Sequence, residues 1–272
     1  MNIPNLKEAK KRTNKEVETN YYETKYQNVV NNKKYFLKTY GCQMNEHDSE
    51  NMKAILEEMG FKETENMEDA DLVLLNTCSI RENAHNKVFG MLGRAKHLKS
   101  TKKDLIVGIA GCMAQEEVVA QEILKKYKWM DFVLGTHNIE QLSELVYDSL
   151  KEHELKIEAQ SCEGKVLEGL PTTRNSKVKA FVNIMYGCDK FCTYCIVPYT
   201  RGKQRSRKPE DIIKEVEQLV KDGYQEVTLL GQNVNAYGKD LNIDYTMTDL
   251  LTDVAKTNIN RIRFVTSHPW DF

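Results

Sequence analysis

Asp71-Leu72-Val73-Leu74-Leu75-Asn76-Thr77-Cys78 carries the plan of the first half of this chain. Four apolar residues run together with no polar alternation, which describes a strand covered on both faces, as strands of parallel sheets are. The run 71–76 stops two residues short of Cys78. The same design occurs on either side of it. The apolar run 35–40 stops two residues before Cys42, and 105–110 stops two residues before Cys112. Amphipathic stretches separate these strands, at 49–59 with Gly60 as the stop, at 82–98 and at 116–127. Residues 131–134 are expected to close the sheet before a helix over 139–150. Strands alternating with helices imply right-handed crossovers and a parallel sheet, so the fold class is α/β.

All strands of such a sheet end on one edge, the edge where ligands of open α/β sheets bind. Cys42, Cys78 and Cys112 lie 36 and 34 positions apart yet are expected to converge there. Gly41 and Gly111 beside two of them permit a tight turn against a bulky ligand. Three thiolates at one place are the ligand set of an iron–sulfur cluster, the alternative being a chance coincidence of three thiols.

A second triplet is local: Cys188-Asp189-Lys190-Phe191-Cys192-Thr193-Tyr194-Cys195. Three cysteines hold three irons of a 4Fe–4S cubane and leave the fourth iron open to a cofactor. Structural metal sites are normally closed by four ligands, so a zinc knob or three buried thiols is the competing account. Cys162, the seventh cysteine, stands apart from both sets and reads as a spare surface thiol.

At 272 residues the chain is long enough for about two domains. No apolar stretch approaches the ~18 residues of a membrane span, and no signal-peptide core precedes the first strand. A cytosolic location is expected, where cysteines serve as ligands or catalysts rather than disulfides. The net charge of −1 excludes a globally basic nucleic-acid binder. Charge is nevertheless uneven: nine Lys or Arg lie between Arg174 and Lys208 against one acid, Asp189. Such a patch attracts phosphates, with Arg201, Lys203, Arg205 and Arg207 as candidate contacts and Tyr199 as a stacking surface, unless it is only a solvated face.

Residues 1–34 show no period and read as a mobile leader, 35–150 as the first domain, 151–176 as a linker and 177–272 as a second domain. Within the last, strands are expected over 179–184, 226–230 and 261–265, with helices over 210–222 and 247–256. Gln232 and Asn233 follow the second of these strands and Ser267 and His268 the third, at the end where barrels of this type carry their sites. Tyr194 flanks the last cysteine, a position that packing alone would explain. Three βα units are half a barrel, so the chain is expected to be a C-terminally shortened form with an exposed edge.

Both triplets and their flanks resemble the methylthiotransferase family of radical S-adenosylmethionine (SAM) enzymes. The resemblance rests on residues 39–45 (TYGCQMN), 76–78 (NTC), 111–114 (GCMA), 187–202 (GCDKFCTYCIVPYTRG), 231–238 (GQNVNAYG) and 266–269 (TSHP). It implies an N-terminal open parallel-sheet methylthiotransferase domain followed by the first half of a radical SAM partial (β/α) barrel. It further implies two 4Fe–4S clusters, one on Cys188, Cys192 and Cys195 whose open iron chelates SAM, and an auxiliary one on Cys42, Cys78 and Cys112 that presents the sulfur. Tyr194, Gln232, Asn233 and Ser267 would contact the cofactor. The implied reaction takes hydrogen from C2 of an N6-dimethylallyladenosine beside the anticodon of tRNA and inserts a methylthio group. Relatives act instead on threonylcarbamoyl-adenosine in tRNA or on an aspartate of a ribosomal protein. The implied partners are the tRNA anticodon loop, an electron donor of flavodoxin or ferredoxin type and a sulfur donor, with the chain a monomer. The family pattern continues through further barrel strands and a small RNA-gripping β domain, so this chain alone is expected to bind clusters and to turn over weakly or not at all. A non-catalytic cluster carrier is the competing function, and SAM cleavage upon reduction separates the two.

Overall fold

The computed structural model describes residues 18–79, 82–159 and 165–271, without the side chains of residues 82–86. Cys162 and residues 1–17 of the expected leader lie outside them. The described residues fall into two compact units, one of residues 22–159 and 170–173, the other of residues 18–21, 165–169 and 174–271.

The expected mobile leader is corrected over its second half. Strand β1 (Glu18–Tyr21) pairs in parallel with a strand at Lys165–Glu168, and residues 22–34 are tied to the first unit. Backbone N–H groups of Asn28 and Val30 donate to the carbonyls of Glu58 and Met59, and Tyr26 stacks on Tyr147 at 4.4 Å. This stretch has no hydrophobic period because it is held by backbone bonds and single tyrosines, which leave no repeat in the sequence.

The first unit is a six-stranded, all-parallel sheet. Its strands are β2 (Lys34–Tyr40), β3 (Lys62–Glu63), β4 (Leu72–Thr77), β5 (Ile106–Gly111), β6 (Phe132–Leu134) and β7 (Lys156–Glu158), in the order β3-β2-β4-β5-β6-β7. All residues of β4 and β5 are buried, as their unbroken apolar runs require. Helices α1 (Gln43–Glu58), α2 (Glu82–Thr101), α3 (Glu117–Lys126) and α4 (Leu142–Ser149) supply the crossovers. On one face Val73, Leu75, Val107, Ile109 and Val133 pack with Val88 and Leu92 of α2 and Val119 and Ile123 of α3. Each fully buried Val, Leu or Ile of this layer contributes about 1.5–3 kcal/mol. Residues 131–134 do not close the sheet: β7 pairs outside β6, and β3 outside β2. Both added edge strands are too short to show a period of two.

Strand β8 (Lys165–Glu168) partners β1 in the second unit, so the stretch expected as an unstructured linker carries two strands, β7 and β8. The core of this unit is a parallel sheet of β9 (Lys179–Asn183), β12 (Glu226–Leu230) and β13 (Arg261–Phe264), in the order β13-β12-β9. A small antiparallel pair, β10 (Met185–Tyr186) and β11 (Arg205–Ser206), brackets the cysteine loop between them. A short helix, α5 (Val197–Thr200), sits inside that loop. Helix α6 (Pro209–Lys221) starts on a proline at N1 with Glu210 and Asp211 in its first turn. Helix α7 (Met247–Lys256) opens with a capping box between Thr246 and Asp249. Ile212, Val216, Leu219, Leu250 and Val254 of these helices bury against Val182, Val227 and Leu229. Among the described residues no helix is long and apolar enough to cross a membrane.

Candidate functional site

Strands β2, β4 and β5 are neighbours in register, with Tyr40 opposite Thr77 and Thr77 opposite Gly111. Adjacent strands stand about 4.7–4.9 Å apart, so these three ends form a row of roughly 10 Å. Cys42 follows the first by two residues, while Cys78 and Cys112 directly follow the other two. The strands thus run one residue further than the apolar runs suggested, through Thr77 and Gly111. The Cys78 N–H donates to the Tyr40 carbonyl at 2.8 Å, which extends the ladder to the cysteine itself. Cys78 and Cys112 are buried and Cys42 is exposed, and among the described residues the cysteines form no disulfide.

Helix α1 begins six residues earlier than its apolar period indicated, with Cys42 as its N-cap. The first two turns escape a hydrophobic reading because their inward side is polar. Asn45, His47, Ser49, Glu50 and Asn51 are all buried. Asn45 donates to the Asn76 side chain at 3.3 Å, and the Asn76 amide donates to the Asn45 carbonyl and to Ser49 Oγ, both at 2.8 Å. The Cys42 thiol donates to Asn45 Oδ1 at 3.4 Å. A Cβ on Gly41 would stand 2.6 Å from that same oxygen, and one on Gly111 would stand 2.3 Å from Asn76 Oδ1. Both glycines are therefore required by the asparagine pair.

In the second unit the cysteine loop hangs between β10 and β11. Gly187 has φ +71°, and a Cβ there would lie 2.2 Å from the Lys203 carbonyl oxygen. The Cys188 N–H donates to the Gly202 carbonyl at 3.1 Å, and the Cys195 N–H to the Cys192 carbonyl at 2.8 Å, so the last two cysteines share one turn. Burial pushes the Cys188 thiol up, and the nearby Cys195, Asp189 and Cys192 add to this against the Lys190 N–H. Among the described residues no three Cys, His, Asp or Glu side chains stand close enough to grip a single metal ion. A cubane presents separate irons at its corners, so its thiolates stand farther apart than the ligands of one ion.

Segments after β12 and β13 brace this loop. The Gln232 side chain accepts the Gly187 N–H. Asp271, whose side chain is almost fully buried, pairs with Lys190 at 2.8 Å and with Lys239 at 2.6 Å, and accepts the Asn233 amide at 2.7 Å. Burial opposes its ionisation, but these three donors outweigh it and hold the carboxyl well below its ordinary range. Asn233 is 1% exposed, and its Oδ1 has no hydrogen-bond partner among the described residues. Tyr194 is 93% exposed, so its ring is not a packing residue within this unit. Ser267 is exposed beyond β13.

The expected phosphate contacts are corrected. Arg201, Arg205 and Arg207 are buried, and only Lys203 of the four is partly exposed. Arg207 makes a two-pronged pair with Glu168 at 2.5 and 2.6 Å and meets Glu215 at 2.8 Å. Burial lifts Glu168 and would lower Arg207, yet the two carboxylates hold the guanidinium charged, as its bidentate geometry requires. A run of arginines reads as a basic patch because sequence does not reveal the acidic partners that fold against it. Asn45, Asn76, Ser49 and Asp271 were not expected to support a site. A polar residue closing an apolar strand, as Asn76 does, was the available signal.

Comparison with known proteins follows this division. Residues 34–135 match the family described as Uncharacterized protein family UPF0004, and residues 182–271 the Radical SAM superfamily. The tRNA-2-methylthio-N(6)-dimethylallyladenosine synthases of Staphylococcus epidermidis (strain ATCC 35984) and Staphylococcus aureus (strain JH9) are each 54% identical over 273 residues. Each alignment covers 99% of this chain and 53% of the relative, so the chain spans about half the length of the curated relatives it matches. A radical S-adenosylmethionine methyltransferase from Kitasatospora setae, TsrM, aligns over 82% of this chain and 51% of its own, with 11% identity and a TM-score of 0.49.

Proposed function

We propose that this chain belongs to the radical SAM methylthiotransferase family and carries the cluster-binding core of a tRNA methylthiotransferase, on the strength of its 54% identity to the Staphylococcus relatives and its match to the Radical SAM superfamily. The proposed reaction inserts a methylthio group at C2 of N6-dimethylallyladenosine, the modification that the Staphylococcus relatives are named for. The observation that carries this reading is the pairing of two thiol triplets in one chain. Three neighbouring parallel strands each run out on a cysteine, and a separate braced loop holds three more. A single-cluster enzyme would have no use for the Cys42 set, and an electron carrier would have no reason to leave an iron of either cluster without a fourth cysteine.

The residues fit the two 4Fe–4S clusters and the SAM that this function requires. Six thiols are present and none is tied up in a disulfide among the described residues. Cys188, Cys192 and Cys195 would hold the cluster that takes SAM, and Cys42, Cys78 and Cys112 the auxiliary one. When bound, these groups supply the radical chemistry and the inserted sulfur. The chain's own part is to bind and to orient. Gln232 and Asp271 fix the loop that carries Cys188, Cys192 and Cys195. Asn233 Oδ1, a buried acceptor lacking a donor among the described residues, is suited to an amino group such as that of SAM. The exposed Tyr194 ring offers a face for an adenine, and Ser267 a hydroxyl at the same sheet edge. The remaining partners are an electron donor of flavodoxin or ferredoxin type and a sulfur donor, and the protein works as a cytoplasmic monomer alongside its tRNA.

The test is mass analysis of tRNA nucleosides from cells lacking the gene. N6-dimethylallyladenosine without its methylthio group should accumulate, and the gene should restore the modified form. Unchanged nucleosides would discard the proposal. Loss of the methylthio group from threonylcarbamoyl-adenosine instead would move the substrate to the other tRNA class.

A further inference from the structure

Cys192 has a neighbour outside its own loop. Its sulfur stands 3.3 Å from Nε2 of His268, on the turn that follows β13. The other ring nitrogen, Nδ1, accepts the backbone N–H of Trp270 at 3.3 Å. A nitrogen that accepts carries no proton, so in the neutral ring the proton resides on Nε2. The imidazole therefore presents a donor, and the donor is aimed at the Cys192 sulfur.

The turn holds that aim from several sides. The Asp271 N–H donates to the His268 carbonyl at 3.0 Å, and Trp270 stands edge-on to the imidazole with ring centroids 5.2 Å apart. Asp271 in turn grips Lys190, which belongs to the cysteine loop. Turn and loop are thus joined at two points, one charged and one aimed at sulfur.

We propose that His268 is a positioning residue that donates an Nε2–H hydrogen bond to Cys192 when that sulfur is a cluster thiolate, and thereby raises the cluster's reduction potential. The proposal rests on the ligand role given to Cys192 above. Its physical basis is charge. A reduced cluster carries one more negative charge than an oxidised one, and a donor to a ligating sulfur stabilises the more negative state. Removing the donor leaves the thiolate in place but shifts the equilibrium toward the oxidised form.

The experiment uses the full chain carrying Cys42→Ala, Cys78→Ala and Cys112→Ala, so that one cluster reports. Chains with His268, His268→Gln and His268→Leu are reconstituted anaerobically, assayed for iron and sulfide, and titrated for the reduction midpoint by electron paramagnetic resonance. A lower midpoint is expected in His268→Leu, with restoration toward the parent value in His268→Gln, whose amide can donate. If His268→Leu fails to load, a loaded His268→Gln at the parent midpoint still supports the donor role. An unshifted midpoint in fully loaded His268→Leu overturns the proposal, as does an equal fall in both variants, which would mean packing alone. Failure of both variants to load overturns it too, making His268 a structural part of the loop. Nitrogen coupling in the parent's cluster signal would make His268 an iron ligand and overturn it as well. If the parent itself holds no cluster, the assignment of Cys188, Cys192 and Cys195 fails first, and this proposal with it.

Discussion

The side chain of Asn76, at the end of β4, donates to the backbone carbonyl of Asn45 in the first turn of α1 at 2.8 Å, and Asn45 donates back to Asn76 Oδ1 at 3.3 Å. This reciprocal pair joins the strand that leads to Cys78 with the helix that begins at Cys42. It is buried, and it shares its polar groups with Ser49, Thr77 and Cys42 in one network.

Asn76→Leu keeps the branched outline and heavy-atom count but removes the polar groups, so Asn45 and Ser49 each lose one partner. A loss of about 1–3 kcal/mol of stability is expected from the stranded groups. Denaturant unfolding should record it, and anaerobic loading should show less iron retained by the Cys42 set and full retention by the Cys188 set. Equal retention by both would separate the asparagine pair from cluster binding.

Gly187→Ala places a Cβ against the Lys203 carbonyl oxygen at a φ of +71°. Left-handed backbone alone disfavours a side chain by about 1–2 kcal/mol, before the contact is counted. The cysteine loop should shift and iron binding at Cys188, Cys192 and Cys195 should fall, while Gly223→Ala, also at positive φ but with open space around it, should leave loading intact. Iron content per chain, measured with the first triplet replaced by alanine, decides this.

Arg207→Ala leaves Glu168 and Glu215 facing each other in a buried site. Breaking one member of a buried ion pair is destabilising by about 3–5 kcal/mol. A marked drop in thermal midpoint is expected, whereas Lys203→Ala should hardly change it. If Arg207→Ala instead weakened tRNA binding with no change in stability, the arginine would be a phosphate contact after all.

Alkaline pH should unfold the protein early. Burial, followed by Glu58, pushes the Tyr22 hydroxyl up from 10 to about 12, and burial likewise raises Tyr35, Tyr237 and Tyr245. Between pH 10 and 12 the unfolded chain loses these protons and the folded chain keeps them. The unfolded state then binds fewer protons, so stability, fully present below pH 10, falls as pH rises. Phenolate absorbance and circular dichroism should change together in this window. Phenolate formation well ahead of unfolding would show these hydroxyls to be accessible.

Much of the architecture was legible where side chains bury in a regular rhythm. The runs 71–76 and 105–110 announced buried parallel strands, and the cysteines at their ends announced a shared edge. The legible part stopped where burial is polar. The opening turns of α1 were missed because Asn45, Ser49 and Glu50 point inward without being apolar. The arginines of residues 201–207 were misread for the converse reason, since charge usually signals solvent. Strands β1, β3, β7 and β8 were missed because two to four residues cannot display a period.

Order along the chain and residue chemistry were enough to determine an α/β protein with two sets of three thiols, since apolar periodicity and cysteine spacing are local properties. Only the tertiary structure decided what supports those thiols: the asparagine pair that joins the helix starting at Cys42 to the strand ending before Cys78, the Asp271 and Gln232 braces on the cysteine loop, and the imidazole aimed at Cys192. These contacts join residues from 31 to 81 positions apart. Hydrogen bonds and ion pairs at that separation exist only once the chain has folded, because their geometry is set by strand register and not by neighbouring sequence.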